Sequence, residues 1–142
     1  MTSQEANRFL DAPPSSVRRA LLDPRALPDW NPAFQSLDGP TVAATGIRYP
    51  ITVRGGLSGH WEYTRITDHG VEAAWQVPGF GETNAWRLEE RHGGTVVTHS
   101  FEHQGPLARL LSNAYRGVAE LRLDRLTQRT IQEAGTSYSS AT

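Results

Sequence analysis

The chain has 142 residues, a formal net charge of −1 and no cysteine. That length suits one domain with a substantial core, and near-zero charge without a block of one sign argues against nucleic acid or an anionic membrane as partner. Missing thiols exclude disulfides, thiolate metal sites and a cysteine nucleophile, and because all fourteen basic residues are arginine, imine chemistry on a lysine is excluded too.

No apolar run approaches membrane length, and Met1-Thr2-Ser3-Gln4-Glu5 has neither the basic start nor the apolar middle of a signal peptide, so a cytoplasmic location is expected. Gln4 to Leu10 reads as a short edge strand. Asp11-Ala12-Pro13-Pro14-Ser15-Ser16 is a helix-start signal, followed by Val17, Ala20 and Leu21 at helical spacing and ended by Asp23-Pro24. A second helical turn is expected over Arg25–Leu27, before Pro28-Asp29-Trp30-Asn31-Pro32.

From Phe34 the period changes to two. Ile47, Tyr49, Ile51 and Val53 alternate with polar neighbours up to the turn at Gly55-Gly56, and Pro50 marks an edge or a bulge. Trp61, Tyr63 and Arg65 share one strand face, followed by Val71, Ala73, Trp75 and Val77 on the next strand. The turn Pro78-Gly79-Phe80-Gly81 leads to Asn84, Trp86 and Leu88, and His92-Gly93-Gly94 leads to Val97, His99 and Phe101. Turns about every ten residues suit an antiparallel meander. Gly105-Pro106 then opens a stretch whose apolar and small residues recur every three or four positions. This spacing predicts one helix over Pro106–Ala134, with Val118 and Leu121 toward the sheet and Gly135 as its stop. Residues 1–135 are expected to form a single domain and 136–142 a disordered tail. The inner strand faces carry polar-tipped aromatics, Arg65, Asn84 and His99, a lining that fits a cavity better than a pure apolar core.

Ala12-Pro13-Pro14 before the first helix, then Leu22-Asp23-Pro24 and Pro28-Asp29-Trp30-Asn31-Pro32, resemble the opening of the START-like helix-grip (SRPBCC) superfamily, in its polyketide cyclase/dehydrase and lipid-transport branch. The resemblance covers residues 4 to 135. It implies an α+β fold: a curved antiparallel sheet of about seven strands wrapped around a long C-terminal helix, two short helices after the first strand, and an internal apolar cavity. Polyketide aromatase/cyclases of this superfamily carry two inward tryptophans, then an inward serine and arginine, on one strand. Trp61-Glu62-Tyr63-Thr64-Arg65 is similar in its two aromatics and arginine; it lacks the serine and places the arginine one inward position earlier.

The catalytic candidates are His99, Arg65 and Tyr63. A guanidinium in an apolar cavity binds a carbonyl or a developing enolate, and an imidazole moves the proton. Arg65 has the alternative of reaching the rim or pairing with a carboxylate such as Glu102, and His99 that of a core histidine with one hydrogen bond. Trp30, Tyr49, Trp61, Trp75, Trp86 and Tyr115 are candidate walls for a flat ligand, with ordinary core packing as the alternative; Asn84 is a candidate donor to a carbonyl. His99 and His103 would lie roughly 13 Å apart along one strand face, and no H-E-x-x-H, nucleophile-elbow or phosphate-loop pattern occurs, so neither metal nor cofactor is expected. Two functions follow. One is a small cyclase or dehydratase (lyase or isomerase type) that folds a carbonyl-rich polyketide-like intermediate for acid–base catalysis in biosynthesis. The other is a non-catalytic carrier or sensor of a hydrophobic small molecule. A monomer or homodimer suits either.

Overall fold

The computed structural model describes residues 2–140. Seven strands form one open, curved antiparallel sheet: β1 Thr2–Leu10, β2 Phe34–Leu37, β3 Tyr49–Val53, β4 Ser58–Thr67, β5 Gly70–Val77, β6 Phe80–Arg91 and β7 Gly94–Gln104. Their spatial order is β1-β7-β6-β5-β4-β3-β2. Six strands, β2 to β7, thus follow one another as antiparallel neighbours, and β1 pairs with β7 along its whole length, from Thr2 opposite His103 to Leu10 opposite Thr95. The β6–β7 turn has both central residues, His92 and Gly93, at positive φ (53° and 80°), matching the right-handed strand twist. The helices α1 Pro14–Leu21, α2 Leu27–Trp30 and α3 Val118–Ser140 follow the expected order. Pro14 sits in the first turn of α1, which buries Val17, Ala20 and Leu21. No described helix is long and apolar enough to cross a membrane.

The C-terminal helix departs from expectation at both ends. Residues 106–117 form successive turns, with mixed i→i−3 and i→i−4 bonds such as Ala108 N–H to Gly105 C=O and Leu111 N–H to Leu107 C=O. Gly117, at φ 76°, breaks them from α3, which starts at Val118. The helix then runs past Gly135 to Ser140; of the tail expected over 136–142, residues 141–142 lie outside the described residues. The break also shifts the phase of the buried stripe. Ala119, Arg122, Leu123, Leu126 and Thr130 are buried, whereas Leu121, expected to face the sheet, is 37 % exposed and Val118 is half-buried. Arg8 on β1 pairs with Asp124, and Arg129 reaches Asp23 and Asp29, tying the helix to the sheet edge and to the α1–α2 region.

Within the sheet, Gly59 is a close-approach position. A Cβ there would lie 1.7 Å from the Gln76 carbonyl oxygen on β5. Gly59→Ala therefore has to push β4 from β5, and a loss of about 1–3 kcal/mol is expected, the range for overpacking. A urea-unfolding midpoint equal to that of the wild type would show that the sheet yields at no cost.

Candidate functional site

Where the 106–117 turns stand off the sheet, a pocket of about 430 Å³ opens between them, the first turn of α3 and the ends of β3, β5 and β6. Trp75, Val77 and Phe80 line its sheet side, and Leu107, Leu111 and Ala114 the opposite wall. Leu107 is held over the β5–β6 turn by its N–H bond to the Gly79 carbonyl, 3.0 Å. Arg54 stands in the lining as its one charged residue. The volume falls in the roughly 300–1,000 Å³ range of small-molecule sites. A larger hollow, about 530 Å³, lies over the outer sheet face among His60, Glu62, Thr64, Gln76 and Thr83. Those are the outward, polar alternates of the strands, and with few apolar walls to remove a ligand from water the inner pocket is the better site.

Phe80 and Tyr115 form the inner end of the pocket, their rings stacked with centroids 5.5 Å apart. Behind them is a buried ionic network. His103 meets both rings, 4.7 Å from Phe80 and 4.3 Å from Tyr115, and its Nε2–H donates to Glu82 Oε1 at 2.8 Å. Arg122 forks onto the same carboxylate, Nη2 to Oε1 at 2.8 Å and Nη1 to Oε2 at 3.0 Å, while Asn84 Nδ2 adds a fourth bond at 2.9 Å. Four donors fill the four lone-pair directions of Glu82. Burial pushes its carboxyl upward, but the Arg122 charge and the bonds from His103 and Arg122 prevail and hold it at about 2. Arg122 also lies 4.7 Å over the Phe101 ring, a cation–π contact.

His99 closes the network. A carbonyl only accepts, so the 3.0 Å contact to Ala85 C=O places the proton on Nδ1. Nε2 then accepts from Arg122 Nη1 at 3.3 Å. Burial first, then the Arg122 cation, lower its pKa to about 3, with the Ala85 carbonyl and Glu82 acting the other way. At neutral pH the ring is uncharged, both nitrogens are occupied, and one face is stacked on Trp86 at 3.6 Å. Burial, and after it the Glu82 charge, raise the Tyr115 phenol to about 12, so it is a neutral hydroxyl.

The sequence profile of the polyketide cyclase/dehydrase and lipid transport family matches residues 1–130. The chain belongs to this family. No curated protein matches the sequence. Among solved structures it is similar to protein MLL2253 from Mesorhizobium loti, with 18 % identity over 92 % of this chain and 98 % of that one and a TM-score of 0.72. It is also similar to Ara h 8.0201, with 17 % identity, the same coverages and a TM-score of 0.68. DynU16, described as a protein of the dynemicin biosynthetic locus, is 19 % identical over 89 % of this chain, which spans 46 % of that one, with a TM-score of 0.65. At these identities the structures share the fold.

Within the family's grip, the ten residues singled out from sequence separate into four groups. Arg65 was expected inward beside Tyr63. A bulge at Thr64, where Tyr63 pairs with Ala73 and Arg65 with Glu72, skips one residue of the alternation and turns Arg65 to the exposed outer face. There it lies 3.8 Å from Glu72, rather than pairing with Glu102. Tyr63 is fully buried, its O–H donates to Leu21 C=O at 3.1 Å, and burial pushes its pKa further above the ordinary value. The expected wall of aromatics is mostly packed core: Trp30 meets Trp86 edge-on at 5.1 Å, Phe34 meets Trp61 at 5.6 Å, and the Tyr49 hydroxyl donates to Val42 C=O at 2.7 Å. Trp75 and Tyr115 line the pocket; His99 and Asn84 sit in the network.

Glu82, Arg122 and the part played by His103 escaped the sequence reading. Glu82 has the parity of Phe80, Asn84, Trp86 and Leu88, all buried on β6, but the strand was expected to begin at Asn84. Arg122 lies between Ala119 and Leu126 on the buried stripe, visible only once the helix is phased from Val118.

Proposed function

We propose that the protein binds a hydrophobic small molecule in the pocket over Trp75 and Phe80 and acts as a carrier or sensor of it. One observation carries this reading: the pocket is walled by apolar residues and brings no acid–base pair to its surface. The groups expected to run catalysis are each engaged elsewhere, Arg65 outside, Tyr63 on Leu21, His99 between Ala85 and Arg122. Family membership, with lipid transport in its description, supports the reading. A polyketide-like ligand is supported by the other half of that description and by the biosynthetic-locus setting of DynU16.

The cyclase or dehydratase reading has its own support in Tyr115. A neutral phenol on the pocket's inner end, one side chain from the Glu82–His103 pair, is a donor for a ligand carbonyl, and a folded ligand gains from orientation alone. Conversion of a bound polyketide-like substrate faster than its spontaneous rate, lost in Tyr115→Phe, would favour it over the carrier.

Binding itself is tested with neutral N-phenyl-1-naphthylamine, whose emission rises in apolar surroundings. Ala114→Trp fills the pocket from an exposed wall position and so spares the core. The expected result is probe binding by wild type and affinity at least about tenfold weaker in the variant. Equal affinity would place the bound probe elsewhere.

A further inference from the structure

We propose that the ligand of this pocket is an amphipathic monocarboxylate, its acid head on Arg54 and its apolar body against Trp75, Val77 and Phe80; the inference rests on the pocket being the binding site. Arg54 is the single charged residue of the lining. Its Nε–H donates to Pro32 C=O at 2.8 Å, which fixes the guanidinium plane at the mouth. The two Nη groups have no carboxylate or other acceptor among the described residues. By contrast, Arg48 just before β3 and Arg65 on β4 each lie beside a glutamate. A fixed guanidinium with free Nη donors beside an apolar wall matches a carboxylate with a hydrophobic tail. One unpaired cation balances one negative charge, which favours a monocarboxylate over a phosphate dianion.

An acyl chain and an aromatic acid share the head-group chemistry, and the two bodies are distinguished by experiment.

The experiment measures affinities of dodecanoate against dodecan-1-ol, and of 2-naphthoate against 2-naphthol, by displacement of N-phenyl-1-naphthylamine at low salt and pH 7.5. In the wild type each acid is expected to bind about tenfold or more tighter than its alcohol, the scale of one charge-assisted contact at a partly exposed site. The gap should narrow with added salt. Arg54→Gln should weaken the acids at least about tenfold more than the alcohols or the neutral probe, so that the gap closes, and Arg54→Lys should keep part of it. The pair with the higher absolute affinity identifies an acyl or an aromatic body. If acid and alcohol bind alike in the wild type, or Arg54→Gln keeps the gap, the carboxylate inference is overturned while probe binding leaves the pocket standing. If neither the probe nor any of the four compounds binds, the pocket reading falls and takes the inference with it.

Discussion

Glu82→Ala is expected to lower folding stability by about 3–5 kcal/mol, the range for breaking one side of a buried ion pair. Glu82 and Arg122 are both buried, and the alanine would leave the Arg122 guanidinium without its carboxylate in the core. His103 and Asn84 would lose their acceptor at the same time. Glu82→Gln keeps the volume but also leaves the guanidinium uncompensated, so it should be only modestly better. Removing both charges together, as Glu82→Leu with Arg122→Met, should recover most of the loss, because an apolar replacement of similar volume is often neutral or stabilising. Urea unfolding at pH 7 measures all three. A loss below about 1 kcal/mol for Glu82→Ala would mean that the pair is far better solvated than its burial implies.

Stability should also fall as the solution is acidified, beginning well above the usual carboxylate range. His99 has its pKa lowered from 6.5 to about 3, so between those values the unfolded chain holds a proton at this site that the folded protein does not. Its contribution is present above pH 6.5 and is lost as pH falls toward 3. Glu82, lowered from 4.5 to about 2, acts in the same direction, its contribution lost between pH 4.5 and 2. Each fully titrating proton gives a slope of about 1.4 kcal/mol per pH unit, and the unfolded imidazole is half protonated at pH 6.5, so His99 alone removes roughly 2 kcal/mol between pH 6.5 and 4.5, and the decline steepens below that. Urea midpoints for wild type and His99→Gln across this range isolate the imidazole. The wild-type curve should slope and the variant curve flatten; parallel curves would refute the assignment.

The chain order of the elements was legible in the sequence because alternation and turn chemistry are local, and the helix-grip architecture came with the family resemblance of the Ala12–Pro14 and Pro28–Pro32 motifs. Val71, Ala73, Trp75 and Val77 are buried as their spacing predicts. What local spacing does not carry is where the period slips. One extra residue at Thr64 sends Arg65 outward, and one glycine in a left-handed conformation, Gly117, resets the phase of α3. The second slip has the larger consequence, since it brings Arg122 to Glu82 and Leu121 to the pocket rim. The aromatic residues were correctly seen as inward, but their identity alone does not say whether they enclose space or each other. That depends on ring orientation, and the edge-on contacts of Trp30 with Trp86, Phe34 with Trp61 and Trp61 with Tyr63 close the interior around them.

The pairing of β1 with β7 sets a timetable for the ribosome's product. Leu10 pairs with Thr95 and Thr2 with His103, so the first strand made has no partner until the last has emerged. At the usual elongation rates of about 5–20 residues per second that interval is on the order of ten seconds. Meanwhile β2 to β6 can zip successively into hairpins, and the waiting strand is a free edge. Its composition suits the delay: Ser3, Gln4, Glu5, Asn7 and Arg8 dominate, and apolar residues adjoin each other only at Phe9-Leu10. A charged, mostly polar strand is a poor template for pairing between nascent chains. The closing step is therefore a late one, a docking of β7 onto the waiting β1, with the Arg8–Asp124 pair formed as α3 settles beside β1.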